Sequence, residues 1–262
     1  MQQVIRKLLV NELHKLYARM GTRIMVLLVP VLVIAAGLLC FYSGEQEIQV
    51  QDGWEFLDLV LTAVPNLMNI VTLFTIIVAA GIVASEFSGG TIKLLLIRPY
   101  SRSQFLLAKY TAVLLFGLSL ALIMMITAFI TGGFLFGFGA GAGDAAENVV
   151  GNVLKASAYG GIGLVVMVTF AFMISSVLRS GAVAIGVSIF FLLSGPQLAY
   201  MLKSFAWTKY LLFANFDLNS YTAGRPFLSE MTLTFSLVVL AGYMAVFGVL
   251  AWVIFAKRDV AN

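Results

Sequence analysis

Polar and apolar residues separate along this chain into long blocks instead of alternating at short range. Six stretches hold no charged side chain: 24–44, 59–85, 110–143, 156–178, 180–202 and 231–256. Each exceeds the roughly 20 apolar residues that carry a helix across a bilayer core. Runs such as Leu114-Leu115-Phe116-Gly117-Leu118-Ser119-Leu120 lack the alternation of a membrane-barrel strand. Lipid offers the backbone no hydrogen bonds, so a spanning segment must satisfy its own, as a helix does. A charge at mid-bilayer costs about 2.5–3.5 kcal/mol on insertion scales, which confines charge to the connections. The pattern predicts an all-α integral membrane protein with six transmembrane helices. It forms a single transmembrane domain over 1–262, with spans near 24–44, 60–85, 110–131, 156–178, 181–202 and 232–255. The third uncharged stretch is too long for one straight span and is expected to end near Thr131, before a glycine-rich exit.

Ahead of the first span the period changes. Ile5, Leu9, Leu13, Leu16, Tyr17 and Met20 fall on one side of a helix, and Lys7, Asn11, His14, Lys15 and Ala18 on the other. This predicts an amphipathic N-terminal interfacial helix along the inner headgroups, turning at Gly21 into the first span. Glu12 and Arg19 sit near the edge of its apolar face. They either snorkel to the headgroups or, with Lys15, contact a partner protein.

Composition sharpens the class. Hydrophobic residues make up 61% of the chain and charged ones 11%, against about 45–50% and about 25% in soluble domains. A soluble fold would have too few polar residues to cover six such helices. The net charge of +4 takes its meaning from topology: twelve of the sixteen Lys and Arg lie on one side of the predicted membrane and four on the other. The basic excess marks the cytoplasmic side, so both termini and the even-numbered loops are expected there. The first outer loop is acidic, with Glu45, Glu47, Asp52, Glu55 and Asp58. The basic balance thus belongs to the bilayer surface, and nucleic acid is not an expected partner. Cys40 is the single cysteine, so an intramolecular disulfide is ruled out. Leu39 before it is too large for a lipoprotein cleavage box, and the first stretch reads as a retained helix. The connection at 203–230 is rich in aromatic residues suited to a headgroup layer, and a partly re-entrant or surface-lying structure is expected there.

Catalytic chemistry has little to work with. His14 is the single histidine, which excludes a zinc motif with two histidines on one helix. Ser88-Gly89-Gly90-Thr91-Ile92-Lys93 lacks the spacing of a phosphate-binding loop, so the chain should bind no cofactor and hydrolyse no ATP itself. The spans carry no Asp, Glu, Lys or Arg for a proton or sodium relay. This argues against an ion-coupled carrier, and no sequence symmetry suggests inverted repeats.

One cytoplasmic connection, 86–109, stands apart. Glu86 closes the second span, Gly89-Gly90 allow a sharp turn, Thr91 can cap a short helix carrying Ile92, Leu94, Leu95 and Leu96, and Pro99 ends it. Ser101 can cap the helix that leads through Lys109 into the third span. An apolar cytoplasmic helix framed by Glu86, Arg98 and Arg102 either dips into the headgroups or forms a socket for a partner protein.

The pattern Glu86-Phe87-x-x-Gly90-Thr91-x-x-Leu94-Leu95-x-x-Arg98-Pro99-x-Ser101-Arg102 resembles the hallmark loop of type-2 ATP-binding-cassette (ABC) export permeases. The N-terminal Asn11-Glu12-Leu13-x-Lys15-Leu16-Tyr17-x-Arg19 is similar to the start of that family's antimicrobial-peptide-resistance and immunity branch. The doubled Gly89-Gly90 is a departure, since other residues often hold the first position.

The resemblance implies the permease subunit of an ATP-driven exporter for a hydrophobic or amphipathic substrate, in the cell membrane of a bacterium. Two permease chains, identical or different, would pair around a shared path. Two cytoplasmic ATPase subunits, holding ATP and Mg, would dock on the loops. Expected ATPase-coupling residues are Glu86, Phe87, Gly90, Thr91, Leu94, Leu95, Pro99, Ser101 and Arg102, with Glu12, Lys15 and Arg19 as the N-terminal partner contact. An acid at a helix C-terminus is disfavoured by the dipole, so Glu86 should either have a cationic partner, a residue of the N-terminal helix such as Arg19 or one on the ATPase, or be a solvated carboxylate at the headgroups. Thr62, Asn66 and Asn69, at i, i+4 and i+7 around Pro65, are expected to share a face of the second span. That face would line the path or the permease dimer, or else bond within the subunit. A non-transporting immunity or scaffold protein is the competing class, and a co-purifying ATPase discriminates against it.

Overall fold

The computed structural model describes residues 2–42, 50, 52–62, 67–88, 101–138, 144–178 and 180–257. They form α1 (Gln2–Ala18), α2 (Met20–Tyr42), α3 (Gly53–Thr62), α4 (Leu67–Ser88), α5 (Arg102–Leu135), α6 (Asp144–Val177) and α7 (Gly181–Met201). A 3-10 turn (Ala206–Tyr210), the short α8 (Asn219–Thr222) and α9 (Leu233–Lys257) complete them, with no strand among the described residues. Among the described residues, six helices are long and apolar enough to cross a membrane: Met20–Tyr42, Leu67–Ala84, Ser103–Leu135, Val149–Val177, Gly181–Met201 and Leu233–Phe255. The six-span, all-helical expectation therefore holds.

Several boundaries differ from the sequence reading, each for a local reason. The turn out of α1 falls at Arg19 instead of Gly21: the Arg19 N–H bonds to Leu16 O at 3.2 Å, and α2 is already helical at Met20. The uncharged run 59–85 is not one helix. Its first part belongs to α3, which starts where Asp52 Oδ1 accepts from the N–H groups of Trp54 and Glu55, both at 2.9 Å. The described part of the second span starts at Leu67 in α4. Ser101 does cap α5, and reciprocally: its hydroxyl accepts from Gln104 N at 3.3 Å while Gln104 Oε1 accepts from Ser101 N at 3.2 Å. α5 runs on to Leu135, beyond Thr131, and the chain leaves it through Gly137 at φ +71°.

Burial ranks the spans. α4 and α6 form the centre, with 61% and 67% of their apolar windows buried, against 11% for α9, 17% for α2 and 28% for α7. Small residues let the central helices approach. A Cβ on Gly117 of α5 would lie 2.8 Å from Thr75 Cγ2 of α4 and 3.1 Å from Leu164 Cδ2 of α6. Polar side chains bond across the same contacts. Ser175 Oγ of α6 accepts from the backbone N–H groups of Val83 and Ala84 in α4, at 3.2 and 3.1 Å. Tyr110 and Thr169 share a hydroxyl bond of 2.8 Å.

At the end of the bundle away from Glu86, residues 202–232 fold back onto the helices. Phe213 stacks on Phe191 with centroids 6.3 Å apart and seats over Gly195 of α7, while Phe216 lies against Gly163 of α6. Beneath them Asn215 is buried. Its amide donates to Lys209 O and Leu211 O at 2.8 Å each, and its carbonyl accepts from Ser236 Oγ at 2.7 Å. The aromatic connection is a folded cap on α6 and α7.

Candidate functional site: a buried ion cluster beside the 89–100 connection

Three helices converge where the 89–100 connection leaves and rejoins the bundle: α1, the last turns of α4 and the first turns of α5. The buried face of α1 is Leu8, Glu12 and Leu16, spaced four apart, so Glu12 lies in the middle of its contact with α5 and not at the margin of an apolar face. On α5 the facing stripe is Phe105, Lys109, Ala112, Val113 and Phe116, all buried. Lys109 is 1% exposed. Its ammonium donates to Glu12 Oε2 at 2.8 Å and to Glu86 Oε1 at 2.9 Å, and stands 4.8 Å from the centroid of the Phe105 ring. Glu12 Oε1 accepts from Lys15 Nζ at 2.8 Å, one turn along the same helix.

Among the described residues, two carboxylates face two ammonium groups in this cluster. Burial alone pushes the Glu12 carboxyl up. The Lys109 charge and hydrogen bond, helped by those of Lys15, outweigh it and hold the group below its ordinary value, hence ionised near neutrality. Neighbouring contacts fix the frame. Tyr17 OH bonds to Ser119 Oγ at 2.6 Å, Trp252 Nε1 of α9 donates to Ser103 Oγ at 2.9 Å, and Phe255 stacks on Phe105.

The sequence-predicted residues divide in three. Glu12, Lys15 and Glu86 come together. Arg19 is exposed, and among the described residues the cation that bonds Glu86 is Lys109. The reason is register: Lys109 sits on the face of α5 turned to both α1 and α4, whereas Arg19 lies beyond the buried stripe of α1. Gly90, Thr91, Leu94, Leu95 and Pro99 lie outside the described residues, as do the side chains of Phe87 and Arg102. Ser101 serves as the α5 cap.

The proposed polar face of the second span is corrected. Thr62 ends α3, with its hydroxyl bonded to Asp58 O at 2.8 Å, while Asn69 is an exposed residue of α4. The two are on different helices, so the helical spacing that linked them does not apply, and Asn66 lies outside the described residues.

Sequence reasoning missed Lys109 as a site residue by counting it only as a loop cation. A signal existed, because Lys109 interrupts the apolar period Phe105, Ala112, Phe116 of a helix capped at Ser101. Asn215 and Ser175 were missed too; a lone amide or hydroxyl in an apolar run carries no comparable signal.

Fold and site together define a six-span helical membrane protein with an ion cluster at one end of its bundle. The chain belongs to the family described as protein of unknown function (DUF2705), which matches residues 23–261. It is 46% identical over 212 residues to the uncharacterized protein YhcI of Bacillus subtilis (strain 168), covering 75% of this chain and 67% of that relative. To the uncharacterized membrane protein YdbK of the same organism it is 35% identical over 203 residues, covering 76% of this chain and 82% of the relative.

Proposed function

We propose that this chain is the membrane-spanning permease subunit of an ATP-driven ABC exporter in a bacterial cell membrane. Both termini face the cytoplasm, and a separate ATPase docks on the 86–102 connection beside α1. A second permease chain completes the path, and the cargo is hydrophobic or amphipathic. ATP and Mg belong to the ATPase, because this chain lacks the spacing of a phosphate-binding loop.

The observation that carries the reading is the Glu12–Lys109–Glu86 cluster. Two segments that resemble the exporter family, the N-terminal helix and the start of the hallmark loop, are distant in sequence yet meet through Lys109. A buried ion triad is a weak source of stability, since an apolar replacement of similar volume is often neutral or better. Its placement beside the connection suits a unit that must transmit movement. A push on the loop would then reach α1, α4 and α5 together and shift the population of bundle conformers.

Expression of the chain with the ATPase encoded nearest to it tests this. Wild type should co-purify the ATPase, and Leu95→Asp should lose it while still inserting in the membrane, because a few apolar anchors dominate such interfaces. A full complement of ATPase on Leu95→Asp would place the socket elsewhere. No ATPase on the wild type would favour a non-transporting scaffold.

A further inference from the structure

Every exposed formal charge on α1 and the start of α2 is positive. Between residues 6 and 42 the sequence holds a single acid, Glu12, and its carboxylate is buried against Lys109. Arg6, Lys7, Lys15, Arg19 and Arg23 are all exposed. Arg6 and Lys7 line one concave surface of α1 with Val10, Asn11 and His14. Burial of Glu12 thus removes from the surface the one negative charge that would offset these cations. A Lys and Arg cluster on an amphipathic helix directly before a span attracts anionic lipid.

The elbow between α1 and α2 fixes one of the cations. Arg23 Nε donates to Tyr17 O at 3.0 Å, taking one of the carbonyls that the last turn of a helix leaves over. Among the described residues nothing accepts from its two Nη groups, so the fork is open to an outside acceptor. Directly after Arg19 and Arg23 come Met20 and Ile24, the head of an exposed apolar stripe that continues through Leu27 and Val31 at helical spacing. A guanidinium pair at the head of an apolar stripe matches the layout of a phospholipid, whose phosphate sits at the head of its acyl chains. An acidic protein surface would satisfy the cations and leave the stripe beside them uncovered.

We infer that the α1–α2 elbow binds an anionic phospholipid: Arg23 and Arg19 take its phosphate, and its acyl chains lie along Met20, Ile24, Leu27 and Val31. A planar guanidinium suits the phosphate because it can offer two parallel N–H bonds at once. The remaining cations of α1 draw further anionic headgroups to the same side. The assignment is independent of the permease reading, and it gives Arg19 a lipid partner in place of a protein contact.

The test uses the full chain purified in detergent and offered an equimolar mixture of phosphatidylglycerol and phosphatidylcholine with matched acyl chains. Native mass spectrometry counts the lipids retained. Wild type should hold phosphatidylglycerol in excess. Each Lys or Arg near a membrane surface contributes about fivefold to such a preference, so Arg19→Gln/Arg23→Gln should lower the excess by about an order of magnitude. Lys155→Gln removes an exposed cation from the first half of α6 and should leave it unchanged. Arg23→Lys keeps the charge without the fork and should retain less than wild type. Salt should weaken the excess, because exposed charges are screened. Inorganic phosphate at matched ionic strength should not displace the lipid, since it has no chain for the stripe.

An unchanged excess in Arg19→Gln/Arg23→Gln would overturn the inference. So would an equal loss in Lys155→Gln, which would reduce the preference to net charge. Displacement by inorganic phosphate would replace the lipid with a bare anion site, and full retention by Arg23→Lys would remove the fork from the account. If the double variant keeps its phosphatidylglycerol and loses a co-purifying ATPase instead, the face belongs to a protein and the inference fails.

Discussion

The seat of Phe213 over Gly195 allows a quantitative test of the folded cap. A Cβ on Gly195 would stand 2.5 Å from Cδ1, Cδ2 and Cε2 of the ring, closer than carbon atoms tolerate. The ring is pinned from its other sides by Phe191 and Phe216, so it is not a free side-chain end that swings away at no cost. Gly195→Ala should therefore cost about 1–3 kcal/mol, the range for overpacking. Phe213→Ala removes a ring that is only partly buried, and should cost about 2–3 kcal/mol, below the roughly 3–5 of a fully buried one. Together the two changes relieve each other, because the new methyl occupies space the ring has left. The double variant should be more stable than the sum of the singles by about 1–3 kcal/mol, most of the overpacking term. Reversible unfolding in detergent, read on all four members of the cycle, gives the coupling directly. Independent sites add within about 0.5 kcal/mol; additivity of that quality here would mean that the ring does not sit over Gly195 and that the cap is packed differently.

Further outcomes follow from the other polar and packed contacts. The Lys109 and Lys15 charges hold the Glu12 carboxyl below its ordinary value despite burial, so its contribution to stability is complete above the ordinary carboxylate range and is lost as pH falls through the lowered value; the melting midpoint of the wild type should drop more steeply in acid than that of Glu12→Gln, and parallel curves would contradict it. Ser175→Ala should destabilise by about 0.6 kcal/mol and at most about 1.7, the measured span for interhelical bonds in membranes, with faster amide exchange at Val83 and Ala84 as its local signature. Asn215→Leu should cost about 1–3 kcal/mol, since Lys209 O, Leu211 O and the Ser236 hydroxyl lose a buried partner, and should open residues 203–230 to protease. Gly117→Leu should block folding or assembly, because Thr75 and Leu164 already fill the space its side chain needs, and a normal yield of stable protein would disprove the close approach of α4, α5 and α6.

What the sequence disclosed, and what it did not, follows the physics of each signal. The six spans were legible because the cost of a charge in hydrocarbon acts on every residue of a span, so the signal accumulates over 20 positions. The division of 59–85 into α3 and α4 was obscured by that same signal, which reports apolarity and not helix ends. Local cues were nevertheless present: Asp52 with Glu55 three residues on is the spacing of a helix start, and Pro65 disfavours helix in the residue before it. Thr62, Asn66 and Asn69 were joined by a helical period that holds only within one helix. Glu86 was marked as needing a cation because an acid opposes the dipole at a helix C-terminus. Which cation depends on how α1 and α5 rotate against each other, and tertiary packing sets that rotation. The apolar stripe of α1 placed Glu12 at an edge, whereas the contact face is centred one residue earlier in the pattern, on Leu8, Glu12 and Leu16.

That rotation has a consequence for why the charges are there at all. Among the described residues, Glu12 and Lys109 are the charged side chains that are fully buried, and they touch each other. Two charges scattered through the bundle would each need a separate partner, whereas in contact they neutralise one another. Leu or Met at both positions would fit the surrounding Leu8, Leu16, Phe105 and Phe116 and would not require desolvating an ion. The apolar solution is open to a chain that is 61% hydrophobic, so stability alone gives no reason for the ionic one. An ion pair does differ from an apolar contact in direction: an apolar helix face can slide or rotate by a fraction of a turn at small cost, while a dry Lys–Glu bond is lost within about an ångström. The pair therefore ties the rotation of α1 on α5 to a directional bond, and Glu86 meets the same ammonium from the end of α4.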